Sequence, residues 1–230
     1  MRGFGVVALM AAAVVGIGGG NWACAGPLVI DTTGGTSPTG IYSFGEPTTA
    51  TIGQVLTAPA VANVLRDFTF YFDDFLDNGH DLAEFQFFVY SWNSTTNRIQ
   101  GAPLFTSAAM SSTNNGGLGG FEALKAEIGI ELTPGQQYMA FASAINLFDG
   151  DDSFGTVLGR TDNSYTGGNY YFNNTQTFHL LPLTNWTTFG GDLQFVATFV
   201  PEPGAWVMRI AAAMAAVVLG RRRPHEAATR

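Results

Sequence analysis

Apolar residues at every second position, in short segments broken by glycine-rich turns, constrain this chain more than any other feature. Phe68, Phe70 and Phe72 share one face of a segment whose other face carries Asp67, Thr69 and Tyr71. Phe85, Phe87 and Val89 alternate with Gln86, Phe88 and Tyr90, and Ile128, Ile130 and Leu132 with Glu127, Gly129 and Glu131. Leu193, Phe195, Ala197 and Phe199 alternate with Gln194, Val196 and Thr198. A period of two is the mark of antiparallel strands with one face buried. Turn signals fall between them at Asp77-Asn78-Gly79, Asn114 to Gly120, Thr133-Pro134-Gly135, Asp149-Gly150 and Thr166-Gly167-Gly168. The pattern predicts an all-β chain, an antiparallel two-sheet β-sandwich of jelly-roll type, because the strands are numerous and similar in length. With 19 Phe available, the expected core includes Phe68, Phe70, Phe85, Phe87, Ile130, Phe195 and Phe199.

Both ends depart from this pattern. Met1-Arg2 is a short positive start, Phe4 to Ile17 an apolar stretch, and Ala23-Cys24-Ala25 an A-x-A cleavage pattern before Gly26. Residues 1–25 read as a secretory signal peptide cut after Ala25. Cys24 as a lipoprotein cysteine is the rival reading, and the bulky Trp22 fits a lipobox badly. Cys24 is the single cysteine, so the mature chain would hold no disulfide, although exported small domains often use them. Residues 26–199 are then one domain of ordinary size.

The tail has three parts. Val200-Pro201-Glu202-Pro203-Gly204 is extended by its prolines. Ala205 to Gly220 is a 16-residue apolar run, roughly 24 Å long as a helix and shorter than the ~20 residues a spanning helix normally needs. Arg209 lies inside the run near its proline end, where a long side chain can snorkel to the interface. Arg221, Arg222 and Arg223 follow, and the positive-inside rule keeps them cytoplasmic, with residues 224–230 as a short cytoplasmic tail.

Residues 200–223 resemble a PEP-CTERM sorting signal, the bacterial C-terminal signal processed by membrane enzymes called exosortases. The resemblance implies export, an inner-membrane-anchored precursor, cleavage near Pro201-Glu202-Pro203, and release or attachment at the cell surface or in the extracellular matrix. It implies an exosortase-like processing enzyme and the bacterial membrane as partners, and an association with exopolysaccharide and biofilm matrix. The same residues also read as a plain C-terminal anchor behind a proline linker. The body loosely resembles sandwich ectodomains carried by PEP-CTERM proteins, through Gly53-Gln54, Val89-Tyr90-Ser91-Trp92, Gly101-Ala102-Pro103-Leu104, Thr133-Pro134-Gly135 and Leu147-Phe148-Asp149-Gly150. That likeness implies a fold and no activity.

Charge narrows the partners. Between residues 26 and 200 the basic residues are Arg66, Arg98, Lys125 and Arg160, against sixteen acidic ones, a net of −12. Nucleic acid is excluded as a partner, because phosphate binding needs a basic surface. An acidic exported domain suits solubility, divalent cations or neutral glycans.

Catalytic signals are thin. His80, His179 and His225 lack metal-ligand spacing, and neither a Gly-x-Ser-x-Gly elbow nor a phosphate loop occurs. Glu84, Glu122, Glu127 and Glu131 offer a glycosidase carboxylate pair, but their alternation with core residues favours a solvated face. No enzyme is expected. Two acidic clusters, Asp73-Asp74 with Asp77 and Asp81, and Asp149, Asp151 and Asp152, suggest calcium, which takes several oxygen ligands. The competing reading is that Asp and Gly favour turns. Tyr165, Tyr170, Tyr171, Phe172 and Trp186 crowd a region with Asn163, Asn169, Asn173 and Asn174. Tyr171 and Trp186 are the candidates there for stacking on a sugar. On a strand, alternate aromatics turn inward instead, which places Phe172 in the core. The sequence therefore points to a non-enzymatic exported surface or matrix protein, with a secreted carbohydrate-binding module as the alternative.

Overall fold

The computed structural model describes residues 26–34, 39–74, 82–188 and 190–202. The proposed signal peptide with Ala23 and Ala25, and the tail from Pro203 through Gly204 to Arg221, Arg222 and Arg223, lie outside the described residues. Among the described residues no helix is long and apolar enough to cross a membrane.

Among the described residues thirteen strands form two antiparallel sheets packed face to face, a β-sandwich. They are β1 (Leu28–Asp31), β2 (Thr39–Glu46), β3 (Thr51–Thr57), β4 (Val64–Asp74), β5 (Glu84–Asn93), β6 (Arg98–Thr106) and β7 (Met110–Ser111), then β8 (Glu122–Glu131), β9 (Gln137–Ser143), β10 (Ser153–Arg160), β11 (Tyr170–Asn173), β12 (Asp192–Leu193) and β13 (Phe195–Val200). One sheet contains β2, β10, β4 and β8 as successive neighbours, and the other β3, β9, β5 and β6. The chain crosses between sheets from β2 to β5, makes the β5–β6 hairpin, then crosses again from β8 to β10. Two interleaved Greek keys in this order make a jelly roll. The C-terminal strands β12 and β13 wedge in where β4 and β10 part, pairing with β10 and β4 respectively, and β1 adds outside β13.

The alternation in sequence becomes the two faces of each strand. Phe68, Phe70 and Phe72 on β4 point between the sheets and meet Phe85 and Phe87 of β5, with Phe44, Phe195 and Phe199. Phe68 stacks on Phe195 with ring centroids 5.3 Å apart, and Phe44 sits edge-on to Phe72 at 5.8 Å. Each such ring contributes about 1.5–3 kcal/mol on burial. Ile130 departs from expectation and is only partly buried against this core. It lies on edge strand β8, beside a register shift between Leu65 and Asp67. Gly129 takes a φ of +70° there, which glycine accommodates without a Cβ penalty.

The second sheet is buried on both faces. Phe88, Tyr90 and Trp92 point away from the first sheet, with Val55, Met139 and Phe141. Ile145, Leu181 and Trp186 cover them, and Phe148 and Phe178 pack against the cluster. The covering chain contains two 3₁₀ turns, Ile145–Leu147 and Phe178–Leu180. His179 lies in the second of these.

Candidate functional site

The fold sorts the loops to two poles. Strand β4 runs from Val64 at one pole to Asp74 at the other. Val64 pairs with Val200, and Phe199 pairs with Leu28, so both described chain ends lie at the first pole. At the second pole Asp74 pairs with Gly155, Phe72 with Glu122, Glu46 with Ser153, and Glu84 with Ser111. Glu46, Asp73, Asp74, Glu84, Glu122, Asp149, Asp151 and Asp152 therefore gather at one end of the sandwich. The four basic residues among the described ones sit elsewhere. Arg66 and Lys125 pair with Asp67, Lys125 also with Glu127, and Arg160 with Asp162. Arg98 donates to Asn185 Oδ1.

A cleft of about 290 Å³ opens at the acidic pole, lined by Leu82, Glu84, Ser111, Leu147, Asp149 and Ser153. The turn that carries Asp149 is held by Glu46. Glu46, at the end of β2, accepts the backbone N–H groups of Asp149 (3.0 Å) and Gly150 (3.1 Å) on its two carboxylate oxygens. Asp149 Oδ1 in turn accepts the N–H of Asp151 at 3.0 Å. This is an Asx turn, the reason Asp recurs at such positions. The cleft is lined by carboxylates, hydroxyls and leucine side chains together. That mixture suits a neutral polyhydroxylated ligand, whose hydroxyls donate to carboxylates while its C–H faces lie on apolar surface.

The described members of the two acidic clusters do not converge on one point. Asp73 and Asp74 are neighbours on a strand and so point to opposite faces, while Asp77 and Asp81 lie outside the described residues, as does His80. Asp149 shapes its own turn beside Asp151 and Asp152. Among the described residues no group of three or more His, Cys, Asp or Glu is placed to hold a metal ion. The glutamates are dispersed as well. Glu84 lines the cleft, Glu122 accepts from Thr113, and Glu127 pairs with Lys125 on the outer face. Glu131 accepts from Asn63 at the opposite pole.

Asp74 is the unusual group at the acidic pole. It is 6 % exposed, and its Oδ2 has no hydrogen-bond partner. Burial pushes its carboxyl up, against the opposing effect of Ser112 and the Ala83 and Asn114 N–H groups, and the Glu122 charge pushes it further.

The aromatic candidates are corrected. Tyr171 is 8 % and Trp186 2 % exposed, so neither offers a ring face to a sugar. Tyr171 packs against Trp92 at 4.7 Å, and Trp186 meets Phe141 edge-on at 5.2 Å while its Nε1 donates to the Leu181 carbonyl. Tyr171 lies on β11, a strand of the doubly covered sheet where both parities are buried, and Trp186 belongs to the segment that covers that sheet. Tyr170 is fully buried between the sheets, and Phe172 packs against that core only in part.

Sequence reasoning missed a polar bridge inside the sandwich. Gln54, flanked by Ile52 and Leu56 on the inward face of β3, is fully buried. Its Nε2 donates to Asp192 Oδ1 at 3.0 Å, and its Oε1 accepts from Leu193 N at 2.9 Å. Asp192 Oδ2 accepts from Tyr165 N, and Tyr165 Oη accepts from Thr57 N. Burial raises the Asp192 carboxyl, opposed by the Tyr165 and Gln54 hydrogen bonds. A glutamine amid apolar neighbours was the one available signal.

At the opposite pole β13 ends at Val200, and Pro201 and Glu202 leave the sheet, Glu202 exposed. Pro201 and Glu202 thus follow directly where the last described strand stops.

Fold and site together define an all-β sandwich with an acidic pole opposite its C-terminal exit. No protein-family model and no curated protein matches this chain. A solved structure of the cysteine protease and lectin-like domains of Cwp84, a surface layer associated protein of Clostridium difficile, is similar at 10% identity and a TM-score of 0.42. The match covers 67% of this chain and 32% of that one, so this chain spans about a third of that length.

Proposed function

We propose that this chain is a non-enzymatic exported surface or extracellular-matrix protein, delivered by an exosortase-like enzyme through a PEP-CTERM signal at residues 200–223. In this reading it is secreted by its signal peptide, held briefly in the inner membrane, and released to the cell surface or to an exopolysaccharide-rich biofilm matrix. The observation that carries the reading is the junction at Val200. The last strand ends there, and Pro201-Glu202-Pro203 follows without a linker, in a backbone that prolines keep extended. A processing enzyme would meet the motif free of the fold. Replacing Pro201, Glu202 and Pro203 with Ala in the native host is expected to leave an unprocessed, membrane-bound precursor. Deleting residues 201–230 is expected to release a soluble sandwich. Trimming near position 201 as efficient as in the parent, read by mass spectrometry of the C-terminus, would refute the proposal.

The acidic cleft favours a second reading, a carbohydrate-binding module. Glu84 and Asp149 stand as acceptors beside Leu82 and Leu147, at the pole farthest from the tail. A glycan array together with a reducing-sugar release assay separates the readings. Binding without release supports the module, and binding should weaken in Glu84→Gln and Asp149→Asn. A calcium role is tested in the same samples, since an ion bound only to the folded state raises Tm. No shift with saturating calcium removes it.

A further inference from the structure

At the exit pole the surface is apolar and concave. Pro27, Leu28 and the β3–β4 connection Pro59 to Ala62 line a cleft of about 370 Å³. Leu28 is 42% and Val61 57% exposed. The cleft borders the inter-sheet core, since Ala62, which lines it, belongs to that core. Single exposed apolar residues are ordinary, but a contiguous apolar patch on an acidic domain marks an interaction surface.

We propose that this patch seats the sandwich on the lipid bilayer while the tail is still attached, which rests on the anchor reading of residues 205–223. The chain leaves the fold on the same pole, because Val200 pairs with Val64 and Phe199 with Leu28. Only Pro201 to Gly204 separate β13 from the apolar run, a reach of about 14 Å at full extension. A tether that short holds Leu28 and Val61 at the level of the lipid headgroups. Apolar side chains at that depth gain by entering the interface. No basic residue lines the cleft, so the attraction is apolar rather than a charge attraction to anionic lipid. The acidic cleft at the other pole then points away from the membrane, open to whatever surrounds the cell.

The chain from Gly26 to Arg230 has no cysteine, so Val61→Cys creates a unique labelling site at the patch and Asp151→Cys one at the acidic pole. Each is labelled with an environment-sensitive fluorophore and incorporated into phosphatidylcholine vesicles carrying a spin-labelled quenching lipid. The Val61→Cys label is expected to shift its emission to the blue and to lose intensity to the quencher, and the Asp151→Cys label to do neither. Protein that floats with vesicles while both labels respond alike overturns the seating and leaves the anchor standing. Protein that does not float overturns both. A blue-shifted Val61→Cys label insensitive to the quencher means that the tail or a second copy covers the patch, which also overturns the proposal.

Discussion

Asp67 and Asp74 stand on the same strand, β4, but on opposite faces, and their carboxyls are pushed in opposite directions. Asp67 is on the outer face, where burial raises it but hydrogen bonds from Arg66 and Thr198 and the charges of Lys125 and Arg66 outweigh burial and leave it lowered. Asp74 faces inward and is raised, chiefly by burial. A lowered carboxyl contributes stability above its unfolded pKa of about 3.9 and loses it as pH falls through the folded value. A raised carboxyl does the reverse. It costs nothing below about pH 3.9, and its penalty grows as pH rises through the folded value. At neutral pH Asp67→Asn should therefore destabilise by about 1–2 kcal/mol and Asp74→Asn should stabilise by about 1 kcal/mol. Both differences should fade toward low pH. Urea unfolding between about pH 3 and 7 measures both.

Gln54→Leu should cost about 1–3 kcal/mol although it places an apolar residue in an apolar core. The change strips Asp192 Oδ1 of a donor and leaves Leu193 N without its acceptor. Both partners remain buried, and unmade hydrogen bonds are costly there. A midpoint unchanged in urea would show that the bridge contributes no net stability.

Trp186→Ala should destabilise by about 3–5 kcal/mol, the range for removing a large buried ring. Tyr171→Phe removes only a long hydrogen bond from its hydroxyl to Asn97 (3.3 Å) and should cost less than about 1 kcal/mol. Thermal unfolding compares the two. A negligible effect of Trp186→Ala would mean that the outer cluster is not a cooperative part of the fold.

Glu46→Ala should loosen the acidic pole without unfolding the sandwich. The amides of Asp149 and Gly150 lose their acceptor, and their hydrogen exchange should quicken by an amount matching about 1–3 kcal/mol of lost protection. Amides in β5 and β9 should keep the parent rate. Uniform quickening would show that Glu46 supports the whole fold instead of one loop.

The period-two alternation was enough to give the class. Phe68, Phe70, Phe85, Phe87, Phe195 and Phe199 are buried because a strand side chain has only two faces to choose from, and one must be dry. The turn signals at Thr133-Pro134-Gly135 and Asp149-Gly150 fall between strands for the same local reason, the backbone preferences of Gly, Pro and Asp. The position of the exit motif was also legible, since a pair of prolines ends a central strand wherever it occurs. Tertiary structure decided the rest. Phe88 and Tyr90 read as the solvent side of a half-buried strand, but residues distant in sequence, Leu181 and Trp186, fold over them. That cover removed Tyr171 and Trp186 from the surface, because no local pattern tells a covered outer face from an open one. The gathering of Glu84 and Asp149 around one cleft, and the meeting of Gln54 with Asp192 across the sandwich, depend on which strands become neighbours. Strand order is a non-local property: it is set by how whole faces pack, and alternation within a single segment carries no record of it.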